Sequence, residues 1–204
     1  MLNKVILEGK KKEELLNNFL SENNLNLDEI YLKEKETEAK LFKSKKVILE
    51  IVKKIDVKNY LKEYIKTLGN KMALNINSEI REKEDHYEIM LISDNNNILI
   101  GKDGKTLNAI QLLLHQSLNN QVGFNIHVTV DVSNYKDKKV KRLEREVKRI
   151  MCEVEKTKIE AKLDPMNSYE RRLVHTIVSE NANLETESFG EGPNRYTVIR
   201  YKEN

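Results

Sequence analysis

Apolar residues along the 204-residue chain recur now every second position and now with a 3.6-residue period, the mark of an α+β protein, and the changes of period fall into three short blocks. Hydrophobic residues make up 39% and charged residues 34%, with a mean hydropathy of −0.64. That balance fills several thin cores more readily than one thick one. The expected architecture is therefore three small α/β domains over residues 1–53, 55–133 and 134–204, the last opened by a long basic helix.

The first block starts with a strand at Val5-Ile6-Leu7, turns at Gly9 and continues into a helix with Leu15, Leu16, Phe19 and Leu20 on one face. Leu27 to Glu34 and Val47 to Val52 read as strands, the second an almost unbroken apolar run of the kind buried on both faces. Val57, Tyr60, Leu61, Tyr64, Ile65 and Leu68 then keep helical spacing up to Gly69-Asn70. Strands follow at Met72 to Ile76 and His86 to Ile92, then a short turn Ile98-Leu99-Ile100 and the loop Gly101-Lys102-Asp103-Gly104. A helix carrying Leu107, Ile110, Leu114 and Leu118 leads to strict alternation from Phe124 to Val132. In the third block a helix runs from Tyr135 to Thr157 with Val140, Leu143, Val147, Ile150 or Met151, and Val154 as its apolar stripe. A strand near Ile159 to Leu163, a helix from Ser168 to Asn181 and strands Leu184 to Phe189 and Tyr196 to Tyr201 complete the chain, and Pro165 and Pro193 sit at boundaries.

Composition also excludes function classes. Cys152 is the sole cysteine, so neither a disulfide framework nor a cysteine-rich zinc site can form, and Cys152 is expected to be packed near the apolar stripe of its helix. No apolar run reaches the roughly 20 residues of a membrane span, and the N-terminus has no secretory core, so a cytoplasmic protein without membrane insertion is expected. His86, His115, His127 and His175 show no metal-ligand spacing with carboxylates, and no nucleophile–base pattern appears, which argues against an enzyme and against a metal or other cofactor.

The segment Gly101-Lys102-Asp103-Gly104-Lys105-Thr106 ends like a phosphate-binding P-loop, but Leu99 stands where such a loop needs its first glycine. What remains is a GxxG loop between two helical segments. Glycines let a nucleic-acid backbone approach, helix-start amides donate to phosphates and Lys102 and Lys105 add positive charge. Asp103 places an anion in the same loop, so modest affinity is expected. The flanking order of helix, strand, strand, turn, GxxG, helix and strand resembles a type II KH domain over residues 57 to 133, a module that clamps about four nucleotides at such a loop.

Charge is uneven although the net value is only +3. Residues 1 to 56 hold 12 basic and 11 acidic side chains, whereas Lys136, Lys138, Lys139, Lys141, Arg142, Arg145, Lys148 and Arg149 face only Asp137, Glu144 and Glu146. Of 8 arginines only Arg81 precedes residue 140. A solvated helix face and a phosphate-binding face both fit this pattern, and the arginine enrichment favours the second, with Lys138, Lys139, Arg142, Arg145 and Arg149 as candidates. Arg171 and His175 lie four apart on one helix face, and with Arg172 and Arg195 they either form a cationic surface or serve structure, with the histidine bonded to backbone.

Leu163-Asp164-Pro165-Met166-Asn167-Ser168-Tyr169-Glu170-Arg171-Arg172-Leu173-Val174-His175, together with Glu185 to Arg195, closely resembles the R-three-H domain, a single-stranded nucleic-acid-binding module named for its Arg-x-x-x-His. With the KH-like block and its Thr106-Leu107-Asn108-Ala109-Ile110-Gln111, the whole chain resembles the Jag family of SpoIIIJ-associated proteins, also called KhpB. The resemblance implies bacterial RNA binding, or single-stranded DNA binding, with post-transcriptional effects on cell elongation, division or sporulation. It also implies a homodimer or a heterodimer with a small KH protein (KhpA) and a functional link to the membrane-protein insertase. Two departures stand out. Lys40-Leu41-Phe42-Lys43-Ser44-Lys45-Lys46 lacks the glycines of the family's N-terminal turn, and Val52 passes to Val57 without the long charged linker of many relatives. The alternative reading is an interaction scaffold, in which the stripe of helix 135 to 157 and KH pairing serve association.

Overall fold

The computed structural model describes residues 2–36, 46–83 and 86–202. The glycine-free turn therefore lies outside the described residues except for Lys46. The chain forms two compact units, Met1–Ser133 and Asn134–Asn204.

The first unit holds two three-stranded sheets. Strands β1 (Lys4–Gly9), β2 (Ile30–Glu36) and β3 (Val47–Lys53) are antiparallel in the order β1-β3-β2. Helix α1 (Lys12–Asn23) packs Leu15, Leu16, Phe19 and Leu20 against Ile30, Leu49 and Ile51. The central strand β3 is covered on both faces, which explains its apolar run. Glu50 is its exception: it is buried between Lys4, 2.8 Å away, and Lys35 on the flanking strands, and the two ammonium groups hold its carboxyl down to about 2. Residues 27 to 29, expected in a strand, form a short 3-10 turn instead, because Asn26 and Glu29 cap each other.

The second sheet follows without a spacer. Helix α2 (Lys54–Lys71) starts at the residue after β3 and runs beyond Gly69, contrary to the expected stop there. A glycine is required at that point for packing: a Cβ would lie 2.9 Å from the Leu74 carbonyl and 3.1 Å from Ile76. The strand expected from Met72 begins only at Ile76, since Met72 and Ala73 make the turn and Ala73 has φ 54°. Strands β4 (Ile76–Lys83) and β5 (His86–Ser93) pair antiparallel, and β5 pairs parallel with β6 (His127–Val132). Between them lie α3 (Asn96–Ile100) and α4 (Lys105–Val122), whose Leu107, Ile110, Leu114 and Leu118 are buried.

Two contacts fix this half to the first sheet, and a further pair fixes its outer strand. The Tyr31 hydroxyl meets that of buried Tyr87 at 3.3 Å, and Lys33 donates to the Gly123 carbonyl at the end of α4 at 3.1 Å. The cation satisfies a terminal carbonyl at the negative end of the helix dipole. Along the free edge of β6, the Val130 amide donates to Gln111 Oε1 at 3.0 Å and the Ile126 amide to Asn119 Oδ1 at 2.8 Å. The strand ladder begins only at His127: the Ile126 amide is taken by the α4 side chain, and Phe124 lies against Tyr31 with ring centroids 5.9 Å apart.

In the second unit α5 (Tyr135–Thr157) and α6 (Ser168–Ser179) cover one face of a sheet ordered β7-β9-β8, with β7 Ala161–Lys162, β8 Leu184–Phe189 and β9 Tyr196–Tyr201. Val147 and Val154 of α5, Val174, Ile177 and Val178 of α6, and Leu163, Leu184 and Ile199 form the core, with Leu143, Ile150 and Met151 packed against it. Asn167 and Glu170 form a reciprocal cap at the start of α6, and the Glu170 carboxylate also meets Lys139 at 2.6 Å. Among the described residues, no helix is long and apolar enough to cross a membrane.

Candidate nucleic-acid interfaces

The GxxG loop is built from conformations that ordinary residues avoid. Gly101 has φ 68° and ψ −174°, Asp103 φ 56° and Gly104 φ 84°. The Gly101 amide closes α3 by donating to the Asn97 carbonyl at 2.9 Å, and a Cβ on Gly101 would stand 2.1 Å from Thr106 Oγ1. Gly104 is buried where the chain enters α4, while Lys102, Asp103 and Lys105 are exposed. The start of an 18-residue helix thus points into a loop carrying two exposed ammonium groups, an arrangement that attracts phosphate through both dipole and charge. Ile98, half exposed on α3, gives an apolar flank to the same corner.

Arg171 and His175 each sit in a hydrogen-bond network of their own. Arg171 Nη1 donates to the Met166 carbonyl at 2.9 Å, and the Met166 amide donates to the Arg195 carbonyl at 3.0 Å, so the glycine–proline turn is tied to α6. His175 Nδ1 bonds to Thr186 Oγ1, its Nε2 lies 2.9 Å from Ser188 Oγ, and Ser188 in turn lies 3.2 Å from buried Thr197 Oγ1. Burial first, and then the Arg171 and Arg195 charges, push the imidazole pKa below its usual value. A neutral ring suits two hydroxyl partners, because one nitrogen donates and the other accepts. Arg171, His175 and Arg195 are therefore together, and Arg172 is exposed beside them on the next helix face. The histidine's partners are hydroxyls, where backbone was the expected structural alternative. No sequence motif marks Thr186, Ser188 and Thr197, although the alternation of Leu184, Thr186 and Ser188 along one strand places these three on the side facing α6.

On α5, Lys138, Arg142, Arg145 and Arg149 are exposed on the side away from Val147 and Val154, whereas Lys139 turns toward α6 and its Glu170. Cys152 corrects an expectation: it is exposed, because its position falls with the cations and away from the stripe. Among the described residues no group of three His, Cys, Asp or Glu side chains has the arrangement to hold a metal.

These two folds, one with a glycine loop at a helix start and one with an Arg-x-x-x-His helix over a three-stranded sheet, define a protein that joins a KH domain to an R-three-H domain. The family model described as KhpA/KhpB, KH domain matches residues 58–131, and the R-three-H domain model matches residues 139–201. The RNA-binding protein KhpB of Bacillus subtilis (strain 168) is 32% identical over 204 residues, which cover 97% of this chain and 98% of that protein. That of Clostridium symbiosum is 37% identical over 131 residues, covering 64% of this chain and 59% of the relative. That of Lactiplantibacillus plantarum is 30% identical over 141 residues, 69% of this chain and 42% of the relative. The chain belongs to the KhpB family.

Proposed function

We propose that this protein binds single-stranded RNA in the bacterial cytoplasm, without catalysis, and acts post-transcriptionally on cell elongation, division or sporulation. The observation that carries the reading is the GxxG loop, held open by Gly101 and Gly104 at the start of α4 with Lys102 exposed at its tip. The relatives' shared name supports RNA as the ligand. In this reading residues 1–53, 55–133 and 134–204 are three modules, and Arg171, Arg172, His175 and Arg195 hold a second part of the strand. Gel retardation of single-stranded RNA tests it. Lys102→Asp weakens binding while the fold is retained by circular dichroism, and unchanged retardation removes the loop from the reading. Arg171→Ala combined with His175→Ala tests the second surface in the same assay.

A second reading, pairing with another KH domain, is favoured by one feature of α4. From Leu107 to Val122 the helix has no Lys, Arg, Asp or Glu, in a chain that is 34% charged, and Leu112 and Leu113 are about half exposed on its outer side. The partner in this reading is a second copy or a KhpA-like protein, with the functional link to the insertase carried through it. Leu112→Glu should turn a dimer into a monomer in light scattering at tens of micromolar, and a wild-type monomer under those conditions defeats the pairing.

A further inference from the structure

Helix α5 carries its charges in separated sectors. At about 100° per residue, Lys138, Lys141, Arg142, Arg145, Lys148, Arg149 and Lys156 all fall within a sector of about 120°, and every one of them is exposed. The buried Val147 and Val154 lie on the opposite side, and Asp137, Glu144, Glu146, Glu153 and Glu155 all fall outside the cationic sector. Among the described residues, none of these seven cations is ion-paired. Elsewhere several cations are paired: Lys4 and Lys35 share Glu50, Lys54 and Lys58 share Glu82, and Arg200 joins Glu160 and Glu187.

An ordinary solvated face mixes signs at i and i+4 because unlike pairs stabilise the helix and like pairs oppose it. Here Lys138 and Arg142, Lys141 and Arg145, and Arg145 and Arg149 are like pairs at that spacing within the sector, while the unlike pairs Asp137 and Lys141, Arg142 and Glu146, Glu144 and Lys148, and Arg149 and Glu153 lie across its borders. A bound polyanion converts this repulsion into attraction. The sector contains no aromatic or aliphatic residue, only the Cys152 thiol among its cations, so it has nothing on which a base could stack and nothing to insert into a bilayer. From Lys138 to Lys156 it is about 27 Å long. A stacked strand advances about 3.4 Å per nucleotide, so about eight nucleotides span it.

We infer that the outer face of α5 is a track for the phosphodiester backbone of RNA, gripping phosphates through Arg142, Arg145 and Arg149 without reading bases. This rests on the RNA-binding reading but not on the GxxG loop or the Arg171 and His175 surface, since the sector faces away from the α6 side of the helix.

The experiment compares the full chain with the triple variant Arg142→Gln, Arg145→Gln, Arg149→Gln, measuring affinity for a uridine tract and for a mixed-sequence single strand across a salt series. Each lost phosphate contact removes roughly 0.7 from the slope of log affinity against log salt, so the variant's slope should be shallower by about 2 for both RNAs. A slope unchanged between wild type and variant overturns the track while leaving RNA binding intact, and absence of RNA binding by the wild type overturns both. A change confined to one of the two RNAs also overturns it, because that result means base readout. As a second measurement, RNA carrying a bromoacetamide arm on one internal phosphate should alkylate Cys152, the only thiol in the chain, and should do so less in the variant. No alkylation of wild type by any arm position overturns the track, as does binding to phosphatidylglycerol vesicles that the variant loses while its RNA slope is unchanged.

Discussion

Alanine at Gly101 would change one methyl group at the tip of the KH-like loop. The backbone there, at φ 68° and ψ −174°, belongs to a region that residues with a Cβ reach at a cost of roughly 1–3 kcal/mol. The added carbon would also lie 2.1 Å from Thr106 Oγ1, 2.8 Å from Thr106 Cβ and 3.1 Å from the Thr106 amide nitrogen. Rotating the threonine clears only the hydroxyl, so the loop itself has to move. The expected destabilisation is about 3 kcal/mol together with weaker RNA retardation. Gly123→Ala is the internal reference, because it lies in the same compact unit, has φ 76°, and its new Cβ would meet only the flexible end of Lys4 at 3.3 Å. That change should cost about 1 kcal/mol, the strain of a left-handed alanine alone. Urea unfolding followed by far-ultraviolet circular dichroism separates the two. If both variants lose the same stability, or if Gly101→Ala retards RNA like wild type, the close approach of Thr106 does not set the loop.

Three further outcomes follow from charge. Asp103→Asn keeps a residue that tolerates the left-handed conformation but removes the loop's anion; a charge about 6 Å from a phosphate in water is worth about 0.7 kcal/mol, so RNA affinity should rise about threefold in low salt and the gain should shrink as salt increases. Glu50, held at about 2 by Lys35 and Lys4, contributes stability that is complete above its ordinary value of 4.5 and disappears as pH falls from there toward 2; Glu50→Gln should flatten the acid limb of unfolding across that window and destabilise the first unit at neutral pH. His175 has the opposite chemistry and the same direction. Its native pKa lies below 6.5, the unfolded chain takes up the proton first, and the second unit should weaken as pH drops below 6.5; in His175→Gln this part of the pH dependence should vanish from thermal melts.

The elements most legible in the sequence are those whose pattern is decided locally. Helix α5 begins at Tyr135 and ends at Thr157, and β8 and β9 occupy Leu184–Phe189 and Tyr196–Tyr201, because helical spacing and strand alternation there are bounded by turn residues. Gly69 misleads because a glycine near the end of a helical pattern usually terminates it, whereas here its role is to admit the Leu74 carbonyl, a contact made only after the chain turns back. Glu50 looks like an interruption of an apolar strand until Lys4 and Lys35 arrive from the neighbouring strands. The GxxG loop is legible because glycine spacing is itself the conformational requirement. The partners of His175 are not: Thr186 and Ser188 are ordinary strand residues, and only the packing of α6 over β8 brings them to the ring. Cys152 is misplaced by its neighbours in sequence, since one step of about 100° from Met151 moves a residue from the packed side to the cationic one.

The bonds that Gln111 makes to β6 and Asn119 makes to the residue before it bear on how the second sheet can meet other chains. A strand edge with open amides is a template onto which foreign strands zip, and most proteins must guard it. Here the Val130 amide is already taken by α4 and the Val132 amide by Asp131, and just ahead of the strand the Ile126 amide is taken by α4 as well, so this margin offers little for an incoming strand to grip. The opposite margin, β4, presents Glu79, Arg81 and Lys83, charges that resist the same event. Both margins of the second sheet are thus obstructed as lateral routes to cross-strand aggregation.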